Sequence, residues 1–195
     1  MEKIAKLTAA AALALASPVF ADDGANWTSV DAESSVAFGS IKSDYIGEVH
    51  HFNSVSGSVS EAGALEIEID VASVETYIDI RNERMVEHIF QALAPTAVIN
   101  AEIDMADVES LAPGETKLVE IQANLAFGGE ENELDAMMLI ARLAEDRVLV
   151  STADFIMIST EDLGIEPGID KLMELADLPS ITRATPVSIR MVFEK

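Results

Sequence analysis

A short cationic stripe stands out in a chain that is otherwise strongly acidic. Arg81, Arg84 and His88 are three and four residues apart, which places them on one face of a helix. A guanidinium group binds a phosphate through two parallel hydrogen bonds, and Arg or His can also donate a hydrogen bond to a carbonyl oxygen. The stripe is therefore a candidate site for the polar head of a ligand.

The same stripe has acidic neighbours that support a different interpretation. Asp79, Glu83 and Glu87 are also spaced by four residues, and Arg84 can pair with Glu87 on the same helix. Exposed pairs of this kind contribute only about 0.3–0.5 kcal/mol to stability. We favour a role in which the stripe fastens its helix to the rim of the fold, with direct binding of a head group as the alternative.

Two adjacent histidines, His50 and His51, could suggest a metal site. Neighbouring side chains on a strand point to opposite faces, so both cannot easily bind one ion. The chain has no Cys, which excludes thiol chemistry and Cys-based metal sites. We predict no metal site, with one histidine facing the interior and the other facing water.

Signatures of catalysis are missing from the sequence. It contains no G-x-S-x-G elbow, no P-loop and no G-x-G-x-x-G motif. The many carboxylates have no spacing that selects two of them for acid–base work. We predict that the protein is not an enzyme and requires no cofactor. An enzyme acting on a small apolar compound is the less favoured alternative, with His51 or His88 as its base.

The N-terminus has the form of a secretory signal. Lys3 and Lys6 precede an apolar run, and Val19-Phe20-Ala21 has small residues at its outer positions. The run is too short to cross a bilayer, which needs roughly 20 apolar residues. We predict a signal peptide over residues 1–21 and a periplasmic location for residues 22–195.

The net charge limits the partners of the chain. Its 195 residues include 12 basic and 35 acidic side chains, for a formal net charge of −23. This charge argues against nucleic acid and anionic membrane surfaces as direct partners. Residues 22–195 are enough for one domain that folds without disulfides.

Apolar and polar residues alternate along most of this domain. The period of two is typical of strands with one buried face, and its apolar members include Val36 and Phe38, Leu65 to Val71, Ala97 to Met105, Val119 to Phe127 and Val187 to Phe193. Residues 133–143 have a helical composition, but "AED" before Arg147 indicates a hairpin turn, so we favour a strand there. Helices are predicted at about residues 80–93 and 169–176, before Pro95 and Pro179. The fold class predicted is all-β, an antiparallel barrel of about eight strands with one or two short inserted helices.

The order of motifs resembles the YceI-like family of secreted bacterial lipid- and polyisoprenoid-binding proteins. The resemblance covers residues 27–195 and depends on "GEVHHFNSVSGSVS" (47–60), "IDVASVETYIDIRNERMVEHIF" (69–90) and "STADFIMISTEDLGI" (151–165). The segment 69–90 is the most specific, with an Arg- and Glu-rich helix ending in Glu87-His88. The family's usual "LTIHGVTKPV" hairpin is replaced here by "LAFGGEENELDAMML" (125–139), which is acidic and lacks the basic residue of the usual turn.

The resemblance implies a lipocalin-like barrel whose hydrophobic tunnel holds an isoprenoid lipid, either a polyprenyl phosphate or an isoprenoid quinone. The predicted ligand-binding residues are the inward apolar positions and the cationic stripe: Val36, Phe38, Phe52, Leu65, Ile67, Ile69, Val119, Ile121, Leu125, Phe127, Arg81, Arg84 and His88. A homodimer and a membrane cytochrome are candidate partners. The alternative function is a non-catalytic interaction protein, associated with stress response or electron transfer, whose barrel is packed solid.

Overall fold

The alternating segments form one antiparallel sheet in the computed structural model, which describes residues 25–90 and 93–195. The predicted signal peptide lies outside the described residues, as does part of the predicted helix at 80–93. The strands are β1 Ala25–Ser29, β2 Ser35–Lys42, β3 Ile46–Phe52, β4 Val55–Ser60, β5 Ala64–Asp70, β6 Val74–Glu75, β7 Thr96–Glu102, β8 Thr116–Phe127, β9 Glu130–Ala144, β10 Arg147–Thr152, β11 Ile156–Ser159 and β12 Ala184–Glu194. The helices are α1 Asp79–Met85, α2 Ala106–Glu109 and α3 Glu166–Ala176, with a π-helical turn at Val86–Phe90 after α1 and 3₁₀ turns at Asp31–Glu33 and Val71–Ser73.

The sheet closes on itself as a barrel. Eight strands pair in the order β1-β4-β5-β7-β8-β9-β10-β12, and β12 pairs back to β1 through Thr28 with Glu194 and Ser29 with Phe193. The strands β2, β3, β6 and β11 extend the same sheet at one end, where β12 pairs with both β2 and β11. The predicted fold class, an antiparallel lipocalin-like barrel of about eight strands with short helices, is confirmed.

The two-residue period decides which side chains point into the barrel. On β5, Ile67 and Ile69 are buried while Glu66 and Glu68 are exposed. Burial of each such aliphatic side chain stabilises the fold by about 1.5–3 kcal/mol. Because the pattern repeats from strand to strand, the inward apolar side chains form one continuous core.

The segment at 133–143, which could have been helix or strand, lies within β9. This strand pairs with β8 along its length, and the two are joined by a tight turn at Gly128 and Gly129. Both glycines have positive φ, at 63° and 93°, as a two-residue hairpin turn of type I′ requires. The strand prediction is therefore confirmed, because pairing with β8 outweighs the helical composition of the segment.

Two helices lie together at one end of the barrel. The helix α1 follows β6, and α3, between β11 and β12, packs against α1 and the π-helical turn. The contact is close: a Cβ on Gly168 would lie 2.4 Å from the carbonyl oxygen of His88. Both helices were predicted, although α1 gives way to a π-helical turn after Met85 and α3 begins earlier than residue 169. The short α2 was not predicted.

A cavity with a polar mouth as the candidate ligand site

The barrel encloses a cavity of about 430 Å³ beneath α1 and α3. This volume falls in the range of about 300–1,000 Å³ that is usual for small-molecule sites. The lining is mostly aliphatic and aromatic, with a small set of polar residues on β2, β3 and α1 and three threonines from the end of β11 to the start of β12: Thr160, Thr182 and Thr185. A second cavity of about 90 Å³ has an entirely apolar surface and lies beside Trp27 and Met138.

The β2–β3 hairpin gives the cavity wall a gradient from apolar to charged. Its inward residues are Val36, Phe38, Ser40 and Lys42 on β2, and Phe52, His50 and Glu48 on β3. Val36 pairs with Phe52, Phe38 with His50, and Ser40 with Glu48. The wall is therefore apolar at one end of the hairpin, neutral and polar in the middle, and charged next to the hairpin turn.

The charges next to the turn compensate one another. Glu48 lies 2.9 Å from the Lys42 ammonium and 2.7 Å from the Arg81 guanidinium. Burial alone would raise the pKa of Glu48, but the hydrogen bonds from Arg81 and Lys42 outweigh it and hold that pKa below its usual value. Glu48 is consequently ionised, and the two cations share its negative charge.

The start of α1 is held by a polar network. The buried Thr76 donates its amide and its hydroxyl to the side-chain oxygen of Asn82, at 2.8 and 2.5 Å. Asn82 and the Tyr77 amide both donate to Glu75, and these hydrogen bonds lower the pKa of Glu75. Arg81 donates to the Thr76 carbonyl at 2.6 Å. The network fixes the position of Arg81 over Glu48 and so ties α1 to the barrel rim.

Arg84 connects the two helices at the cavity mouth. Its guanidinium lies 3.4 Å from the Leu175 carbonyl oxygen at the end of α3. Among the described residues, the contact of Glu87 is with His88, at 3.8 Å, and the predicted Arg84–Glu87 pair does not form. Ile78 and Ile80 also line the cavity and remain partly exposed, so the opening has an apolar edge.

His50 is the buried histidine of the adjacent pair. It is 3% exposed, its Nε2 lies 3.1 Å from the Ser40 hydroxyl, and its Nδ1 has no hydrogen-bond partner within the described chain. Burial, reinforced by the positive charge of Arg81, lowers the pKa of His50 to about 4. The imidazole is therefore neutral at neutral pH.

A second buried polar group lines the same cavity without a partner. The Thr160 side chain is 2% exposed, and its hydroxyl makes no hydrogen bond to any described residue. Native proteins usually satisfy buried polar atoms, and the exceptions often mark a place where a ligand or water binds. His50 and Thr160 thus give the cavity two neutral hydrogen-bonding groups.

The predicted site residues divide between three places. The main cavity is lined by Val36, Phe38, Phe52, Ile69, Arg81, Arg84, Leu125 and Phe127. Leu65, Ile67 and Ile121 line the smaller cavity. Val119 packs against the core without lining either cavity, and His88 lies outside both.

Several lining residues escaped the sequence analysis: Ser40, Lys42, Glu48, His50 and Thr160. Neither His51 nor His88, the bases suggested for an enzyme, lines either cavity, and His51 packs against Tyr77 with ring centroids 5.5 Å apart. A signal for His50 was present. Counting by two from the inward Phe52 gives His50 and then Glu48 on the same face.

Within residues 25–90 and 93–195, no group of three or more His, Cys, Asp or Glu side chains is arranged to hold a metal ion. In the described part of the chain, no helix combines the length and the apolar character needed to cross a bilayer.

A closed antiparallel barrel with an apolar cavity and a helix-flanked mouth defines a lipocalin-like protein. The chain belongs to the YceI-like family, whose domain model matches residues 27–193. A polyisoprenoid-binding domain from Saccharophagus degradans, implicated in plant cell wall breakdown, is 32% identical with a TM-score of 0.85, over 88% of this chain and 99% of that one.

Two more distant structures share the fold alone. Burkholderia cenocepacia BcnA is 16% identical with a TM-score of 0.62, over 84% of this chain and 98% of that one. A Campylobacter jejuni YceI protein is 15% identical with a TM-score of 0.50, over 75% of this chain and 84% of that one. Comparison with curated proteins finds no matching sequence.

Proposed function

We propose that the protein is a non-catalytic periplasmic carrier that holds one isoprenoid lipid in the barrel. The observation that carries the proposal is the cavity of about 430 Å³, whose surface is mostly apolar and whose charged residues Lys42, Glu48 and Arg81 lie together next to the β2–β3 turn. A chain buried there gains about 25 cal/mol for each Å² of apolar surface removed from water. The polyisoprenoid-binding domain of Saccharophagus degradans supports the choice of ligand class.

The periplasmic location rests on the predicted signal peptide at residues 1–21, and cleavage after Ala21 is part of the proposal. The homodimer and the membrane cytochrome partner stay predictions. The alternative interaction protein required a solid barrel, and the open volume above Phe38 and Phe52 speaks against that packing. The carrier is therefore the function that the geometry supports best.

Lipid extraction tests the carrier directly. The protein is purified from a bacterial periplasm without detergent, and its mass is measured under native and denaturing conditions. We expect a native adduct whose mass, after extraction, matches an isoprenoid lipid. A protein that is empty after purification and takes up no added isoprenoid would refute the proposal.

Introducing the same charge inside and outside the cavity tests whether the lipid binds there. Ile69 lines the main cavity, while Leu118 on β8 is exposed. Ile69→Glu should abolish lipid uptake, because a carboxylate would have to be buried beside the apolar chain. Leu118→Glu introduces the same charge on the outside and should leave uptake unchanged. Circular dichroism of both variants separates loss of binding from loss of fold.

A further inference from the structure

An exposed apolar patch adjoins the mouth of the main cavity. Seven of the fourteen large apolar side chains that are exposed within residues 25–90 and 93–195 fall in two short segments, 41–49 and 77–80. The β2–β3 hairpin contributes Ile41, Tyr45, Ile46 and Val49, and the start of α1 contributes Tyr77, Ile78 and Ile80. We call these seven side chains the mouth patch. Exposed apolar clusters of this kind mark interaction surfaces.

Contacts between the hairpin and α1 make the mouth patch continuous. Val49 and His51, two residues apart on β3, share one face of the strand, and the His51 ring packs against Tyr77 with centroids 5.5 Å apart. Ile78 and Ile80 belong to the patch and also line the cavity. The apolar surface therefore runs without a break from the outside of the hairpin into the interior of the barrel.

The two tyrosines are the most exposed members of the mouth patch, Tyr45 at 82% and Tyr77 at 77%. The φ of Tyr77 is 61°, in the left-handed region that a bulky side chain seldom adopts, and its amide is held by Glu75. Strained residues of this kind concentrate at functional sites. A tyrosine ring has an apolar body and a polar tip, which suits it to the boundary between lipid and water.

The charges beside the mouth patch match a zwitterionic lipid head. The carboxylates Asp44 and Asp79 are exposed next to Tyr45 and Ile78, and they can meet the outermost ammonium group of such a head. Arg84 has no acidic partner within the described residues, and its guanidinium can bind the phosphate of the same head. A purely anionic surface is repelled by the net charge of −23.

We propose that the mouth patch docks the protein on a bilayer of zwitterionic lipids, with the cavity opening onto the membrane. The choice of a bilayer over a protein partner rests on the proposed function, because a carrier must move its lipid between membrane and cavity without exposing the chain to water. Tyr45 and Tyr77 lie at the level of the head groups. Ile78 and Ile80 form the apolar path from the acyl chains to the cavity.

Vesicles without any isoprenoid lipid test docking separately from transport. The purified protein is sedimented with vesicles of phosphatidylcholine, or of phosphatidylcholine mixed with an equal part of phosphatidylglycerol. We expect binding to the first, and binding at least about fivefold weaker to the second at low salt. No binding to phosphatidylcholine, or tighter binding to the mixture, would overturn the proposal and leave the carrier intact. An empty barrel that still bound these vesicles would refute the carrier alone.

Variants locate the surface that binds. Tyr77→Asn removes the ring, and Asn tolerates the left-handed backbone; combined with Tyr45→Asn it should weaken vesicle binding at least about tenfold. Phe155→Asn removes an aromatic ring that is 72% exposed between β10 and β11, outside the mouth patch, and should leave binding unchanged. Equal binding by the folded double variant and the unmodified protein would contradict the assignment, and circular dichroism checks the fold.

Tryptophan fluorescence shows what covers the patch. Trp27, the single tryptophan of the chain, is 2% exposed and gives a constant background. The emission of Tyr45→Trp should shift to the blue when phosphatidylcholine vesicles are added, and that of Phe155→Trp should not. A shift that is already present without vesicles and grows with protein concentration would mean that a second copy covers the patch, which would overturn the proposal.

Discussion

Arg81 of α1 lies 2.7 Å from Glu48 of β3, and this ion pair links the inserted helix to the barrel wall. Lys42 shares the same carboxylate at 2.9 Å. Arg81 of the cationic stripe therefore fastens α1 to the barrel, as the fastening interpretation predicted. Arg81, Lys42 and Glu48 also form a compensated charge cluster at the entrance of an apolar cavity. Removal of one of these three side chains should change which ligands bind.

Glu48→Gln should release both cations toward the cavity. Without the carboxylate, Lys42 and Arg81 are free to bind an anionic head, and the affinity for geranylgeranyl phosphate should rise about tenfold. Stability should fall by about 1 kcal/mol, since the pairs are partly exposed. Titration with the lipid and urea unfolding measure the two effects.

Glu66→Gln is the matched control for this change. Glu66 is exposed on β5 and faces away from the interior, so its replacement removes the same charge from the chain without touching the mouth. It should leave the affinity for the phosphate lipid within about twofold. An equal gain in both variants would show that net charge, and not the cluster at the mouth, controls the binding of anions.

His50 should make the stability of the protein depend on pH. Its pKa is about 4 in the folded state and 6.5 in an unperturbed chain, so the folded state binds fewer protons between these values. The contribution of His50 is present in full above pH 6.5 and is lost as the pH falls toward 4, by up to about 1.4 kcal/mol per pH unit.

The contribution of His50 to the pH dependence of stability can be isolated by comparing variants. Urea unfolding at several pH values between 7.5 and 4.5 compares the unmodified protein with His50→Gln and with His51→Gln. The charged groups around His50, which are Glu48, Lys42 and Arg81, are present in all three proteins, so only His50→Gln should flatten the slope. Parallel curves for the unmodified protein and His50→Gln would show that burial does not depress the pKa of His50.

The contact between α3 and the π-helical turn should be intolerant of any side chain at Gly168. A Cβ there would lie 2.4 Å from the His88 carbonyl oxygen and 2.9 Å from the Ile89 side chain. Gly168→Ala should cost about 1–3 kcal/mol, despite the better helix propensity of Ala, because α3 must move away from the turn. Thermal unfolding measures the loss.

Gly47→Ala makes the same chemical change where there is room. Nothing lies within 4 Å of a Cβ at Gly47, and its φ is not in the left-handed region. This variant should be neutral or slightly more stable, because Ala restricts the unfolded chain more than Gly. A similar loss in both variants would mean that the added methyl group, and not the packing of α3, is responsible.

The sequence predicted the barrel well because the alternation of apolar and polar residues can be recognised within each strand alone. A strand with one buried face must alternate, and the residues from Leu65 to Val71 show this without any knowledge of their neighbours. The charges at the mouth were harder to predict, since 32 positions separate Glu48 from Arg81, and these form the end of β3, the strands β4, β5 and β6 and the start of α1. Thr160 lies one residue beyond β11 but continues the inward period of two from Ile156 and Ile158, so counting along this strand could have found it.

The sequence also could not show that the interior has two parts. Leu65 and Ile121 alternate like Phe38, yet they line the smaller cavity. Four side chains line both cavities and form a partition between them: Ile99, Leu134, Ile156 and Ile189. Their bulk and rotamers, which alternation does not specify, decide where the larger cavity ends.

The partition should limit the length of the tail that the barrel accepts. With a series of prenyl alcohols of increasing length, affinity should rise until the tail fills the cavity of about 430 Å³ and then level off. Leu134→Ala should move this plateau to a tail longer by about one isoprene unit, because the space beyond the partition is about 90 Å³ and entirely apolar.

Leu65→Ala is the control for the partition, since Leu65 lines only the smaller cavity. It removes the same atoms and enlarges that cavity without opening the way to it, so its plateau should match the unmodified protein. Both variants should lose about 2–3 kcal/mol of stability, near the lower end for buried leucines, because both side chains are half-buried. A plateau that is the same in all three proteins would show that the mouth and the head group, and not Leu134, set the limit on length.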